Sequence, residues 1–60
     1  MNVQLGDFVK VLNLDPPEYG TVSVIDQDTV PEKLTVVIVD KQTGNLSKIM
    51  TYADEVEIFF

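Results

Sequence analysis

The chain contains no cysteine, no histidine and no arginine. Without cysteine there is no disulfide staple, and without cysteine and histidine the usual ligand sets of structural zinc are missing. The same absences remove the side chains that work most readily near neutral pH, so nucleophilic and general acid–base catalysis have little to draw on. Ser23 and Ser47 fall in extended stretches with no recognisable base beside them, and neither enzymatic activity nor a cofactor is expected. A chain so short is also expected to form no cleft deep enough for a sugar ring, whatever carboxylates it could pair. Lack of cysteine weakly favours a reducing compartment, and so the cytoplasm. No apolar run is long enough to span a bilayer, and residues 1–7 have no basic start followed by an apolar core; neither a membrane span nor an export signal is expected.

Positive charge is scarce. Four lysines face ten carboxylates, a formal charge of −6, whereas a phosphate backbone is held chiefly by cations that displace its counterions. Nucleic acid is therefore a disfavoured partner. Between Lys10 and Lys33 stand Asp15, Glu18, Asp26, Asp28 and Glu32 with no base among them, and Asp54, Glu55 and Glu57 form a second group near the C-terminus. Such a bias keeps a small β protein soluble and its edges unpaired, and it also suits a basic partner. Asp26 and Asp28 lack the glycine and distal glutamate of a calcium loop, so no metal site is expected.

What is present is β pattern. Sixty residues form one domain, 1–60, near the smallest size at which one apolar core outweighs chain entropy. With disulfides and metals gone, self-association becomes an expected support. Residues 34–39 hold Leu34, Val36, Val37, Ile38 and Val39 with Thr35 between them, which predicts the central strand of a sheet, covered on both faces. A first strand is expected over 8–12 with Val9 and Val11 inward, and a second over 21–25 with Val22 and Val24 inward and a bulge or sharp bend at Ile25. Pro16 and Pro17 predict a stiff first loop over 13–20. Pro31 ends the polar connection 26–32, and 40–45 reads as a hairpin loop with Gly44 or Asn45 at positive φ. A fourth strand over 46–52 has Leu46, Lys48, Met50 and Tyr52 on one parity and Ser47, Ile49 and Thr51 on the other. Ala53, Asp54 and Glu55 suit one 3₁₀ turn, and 56–60 alternates as a closing strand.

Gly6, Asp7, Val9 and Val11, a loop, then Gly20, Thr21 and Val22 with Asp26 closing the strand resemble the opening half of KOW-type and related Tudor-like small barrels. Residues 52–58 are similar to the last turn and strand of the same folds. The resemblance implies an all-β, five-stranded SH3-like small barrel with a 3₁₀ turn before the last strand. Proteins of similar length and plan are encoded by bacterial and phage open reading frames. Where RNA-binding members bring basic residues and glycines to the first loop, this chain has Asp15, Pro16, Pro17 and Glu18, so the resemblance implies the fold and not the nucleic-acid role.

In SH3-like and Tudor-like barrels, partner peptides are gripped by aromatic residues from the first loop, the hairpin loops and the start of the last strand. By position the resemblance implies Tyr19, Tyr52 and Phe8 here, flanked by Asp15 and Glu18. Tyrosine rings beside carboxylates suit a cationic side chain. In the alternative, Tyr52 and Phe8 cover the barrel ends or a dimer contact, and Tyr19 anchors the first loop to the core. A groove needs Tyr19 and Tyr52 exposed together. Phe59 and Phe60, opposite in parity, cannot both enter one core. The expected function is a non-enzymatic protein-interaction module, docking a basic or flexible segment or pairing with its own copy as a homodimer. The alternatives are an acidic inhibitor imitating nucleic acid and, less favoured by four lysines, a barrel that binds nucleic acid directly.

Overall fold

A computed structural model describes residues 3–59. The expectations for residues 1 and 2 and for Phe60 lie outside the described residues. The described residues form five strands: β1 (Phe8–Val11), β2 (Glu18–Asp26), β3 (Lys33–Val39), β4 (Leu46–Tyr52) and, after a 3₁₀ turn over Ala53–Glu55, β5 (Val56–Ile58). All neighbours run antiparallel in one sheet of order β4-β3-β2-β1-β5. The sheet is open, with β4 and β5 as its edges. Among the described residues no helix is long and apolar enough to cross a membrane.

Residues directly opposite one another in antiparallel strands share a face, so the register sorts the side chains. Val22, Val36 and Ile49 form one inward row, and Ile25, Leu34 and Thr51 form the next. Val9 and Val11 face inward from β1, opposite Ile58 and Val56 of β5. The buried core is Val3, Val9, Val11, Val22, Leu34, Val36 and Val56, with Leu14, Ile25, Ile38, Ile49, Ala53 and Ile58 packed around it. Val3 joins it because the segment before β1 is tied down: the Gly6 N–H donates to the Val22 carbonyl at 2.9 Å, and the Val22 N–H donates to the Asp7 carbonyl at 3.0 Å.

Four expectations are corrected. β3 is flanked by β2 and β4, but β2 is the central strand, and β3 is fully buried on one face only: Leu34 and Val36 are buried, Thr35 and Val37 half-buried and Val39 exposed. Val24 points outward, not inward, because the ladder slips between Val22 and Val24. Ser23 is the extra residue, its hydroxyl donating to the Thr35 carbonyl at 3.3 Å, so the bulge precedes Ile25 instead of falling on it. β2 also begins at Glu18, so Tyr19 is a strand residue and not the end of the first loop. The hairpin after β3 turns on Gly44 at φ 76°, whose N–H donates to the Asp40 carbonyl.

Candidate interaction surface

β2 serves two partners. Residues 18–21 pair with β1, whereas residues 21–26 pair with β3. The two hairpins therefore fork at Thr21, and Gly20 sits in the crotch. A Cβ added there would lie 2.5 Å from the Val37 carbonyl oxygen and 2.6 Å from Val36 Cγ1, well inside ordinary contact. Only glycine lets β2 lie this close to β3 while opposing Val9 on the buried side.

The fork holds an open concavity of about 1000 Å³, larger than the sequence suggested for so short a chain. It exists because the sheet does not close: Ile38 and Ile49, directed at the core, remain half-buried along it. One wall is aromatic. Phe8 and Tyr19 stack with ring centroids 6.0 Å apart and planes 12° from parallel, and Phe59 meets both edge-on at 6.0 and 5.2 Å. The ladder explains the grouping: Phe8 and Tyr19 are diagonal neighbours on the outer face of β1 and β2, and the Phe59 N–H donates to the Phe8 carbonyl at 2.8 Å, carrying Phe59 alongside. Edge-to-face and offset contacts of this kind stabilise by about 0.5–1.5 kcal/mol each beyond area burial. Val37 and Val39 stand on the opposite wall, and Glu18, Asp40 and Lys41 are the charged residues on the rim.

Of the five residues expected at a binding surface, this concavity gathers Phe8, Glu18 and Tyr19. Tyr52 lines a separate recess with Val30, Pro31, Asp54 and Glu55, and Asp15 is exposed in the first loop and lines neither. Tyr19 and Tyr52 are both about two-fifths exposed, yet they belong to different recesses, so one groove formed by the two is not what the fold builds. The cause is register. Tyr52 lies opposite Lys33 at the beginning of β3, whereas the fork opens at the end of β3, beyond Val37. Phe59 is the contributor that sequence reasoning did not place; its signal was only that two consecutive phenylalanines cannot share a core. Asp26 and Asp28 hold a local turn, with Asp26 Oδ1 accepting the Asp28 N–H at 2.9 Å. No protein-family model matches the chain, and neither a curated protein nor a solved structure matches it.

Proposed function

We propose that the protein is a non-enzymatic interaction module of SH3-like plan that docks an extended, apolar-and-basic segment of another protein in the fork between its two hairpins. The Phe8, Tyr19 and Phe59 wall carries this reading: three rings grouped on a partly exposed face offer rigid contact area at low entropic cost, and aromatic residues are enriched where binding energy concentrates. Glu18 and Asp40 on the rim favour a cationic neighbour to the apolar contacts. Pull-down from the source cell with wild type, Tyr19→Ala and Tyr52→Ala separates the two recesses. Loss of the partner with Tyr19→Ala alone is the expected result, and equal recovery by all three would sink the fork as the docking site.

A second reading, an acidic inhibitor that imitates nucleic acid, draws support from the placement of charge. All ten carboxylates lie outside β3 and β4, so negative charge is confined to the rest of the molecule. Neutralising Asp15, Asp26, Asp28 and Glu32 together, none of which lines the fork, would weaken inhibition of a DNA-binding enzyme on this reading and leave fork docking in place.

A further inference from the structure

β4 is a seven-residue edge strand with no strand beside it on its outer side among the described residues. An unpaired edge of that length is a template for another strand unless charges or prolines blunt it. This one carries neither proline nor carboxylate, and its only charged residue is Lys48. Its outer parity exposes Leu46 and Met50, 69 and 67% accessible, which continue across β3 and β2 into Val39 and Val24, 55 and 53% accessible. β5, the other edge, is three residues long with Glu57 at its centre and Asp54 and Glu55 just before it.

We propose that β4 pairs antiparallel with β4 of a second copy of this chain about a two-fold axis at Ile49, joining two five-stranded sheets into one. Two features select that occupant and register. A chain of net charge −6 repels its own copy, and the β3–β4 hairpin strands are the only strands free of carboxylates apart from β1, so β4 is the one edge at which copies meet without opposing acids. Within β4, outer side chains must meet outer side chains. Centring on Lys48 would set Lys48 opposite Lys48, an unfavourable pair. Centring on Ile49 sets Lys48 opposite Met50 and Leu46 opposite Tyr52, with all seven residues overlapping; the two lysines move from directly opposite to the more distant diagonal position, and each is also diagonal to a tyrosine ring of the other copy. A standard interface takes about 800 Å² per partner, close to a fifth of the 4353 Å² this chain exposes; seven residues of edge give less, so the association is weak and concentration-dependent.

Sedimentation velocity over about two decades of protein concentration, with circular dichroism to confirm folding, tests the pairing on wild type, Met50→Glu and Met50→Lys. Met50→Glu faces each Lys48 with an acid and is expected to tighten the dimer about fivefold, whereas Met50→Lys creates two like-charge pairs and loosens it by a similar factor. Amide exchange on the wild-type chain, which needs no substitution, is expected to show β4 gaining protection as concentration rises. A monomer at every concentration overturns the proposal, as does a dimer indifferent to both substitutions or one weakened by Met50→Glu. Species beyond the dimer would signal head-to-tail pairing of β4 with β5 and overturn it equally.

Discussion

Two residues test how tightly this small interior is made. Gly20 touches β3 so closely that a methyl group has nowhere to go, because the nearest atom is a backbone carbonyl held in the ladder. Gly20→Ala is expected to cost about 3 kcal/mol or more, read from the midpoint of urea unfolding; a change under about 1 kcal/mol would mean that the two hairpins part freely. Thr51 presents the opposite case. It is 2% exposed, faces inward beside Leu34, and its Oγ1 has no hydrogen-bond partner among the described residues. A buried hydroxyl without a partner has lost its water for nothing, so the near-isosteric Thr51→Val is expected to stabilise by about 1 kcal/mol. A destabilised Thr51→Val variant would argue that the hydroxyl bonds a group in solution. Neither role was legible beforehand: Gly20 read as the last residue of the first loop, and Thr51 as one of three polar or apolar residues on a parity whose face was undetermined.

Among the elements, alternation was a good guide wherever the ladder ran without interruption. It placed Val9 and Val11 inside on β1, and Val22 inside on β2. It failed one residue later, since a single inserted Ser23 exchanges the faces of everything after it. The two valines on either side of the bulge should therefore answer differently to the same change. Val22→Thr buries an unpaired hydroxyl and is expected to cost about 1–3 kcal/mol, whereas Val24→Thr, more than half exposed, is expected to fall within about 0.5 kcal/mol of wild type. Equal costs from thermal or urea melts would remove the bulge from Ser23. In β4 the pattern misleads for another reason: Leu46, Met50 and Tyr52, which an observer would bury first, all face outward, and Thr51 takes an inward place.

For the molecule as a whole, charge and apolar surface are segregated. The carboxylates gather in the loops and on β2 and β5, and the β3–β4 hairpin strands carry two lysines and no acid. The two associations proposed above consequently respond to salt in opposite directions. Docking of a basic segment at the fork is drawn by Glu18 and Asp40 and weakens as ionic strength rises, whereas pairing of two copies, each at −6, strengthens as their mutual repulsion is screened. Titrations of each at about 0.1 and about 1 M salt separate them; the same sign for both would show that one of the surfaces is misassigned. The open sheet matters here too, because the fork and the free β4 edge are both consequences of strands that do not close on themselves.

Composition, the β-branched runs and the turn residues were enough to determine an all-β chain of five strands, the 3₁₀ turn before the last of them, a hairpin loop turning on Gly44 or Asn45 and most of the core, because each depends on neighbours within a few positions along the chain. The resemblance to small barrels, and not the local pattern, named Phe8, Glu18 and Tyr19, which line one concavity. What local pattern could not supply was which strand is central, which way β4 faces, and that Tyr19 meets Phe59 instead of Tyr52. Those depend on register between strands far apart in sequence, and one extra residue at Ser23 and one missing side chain at Gly20 set that register only once the strands are packed together.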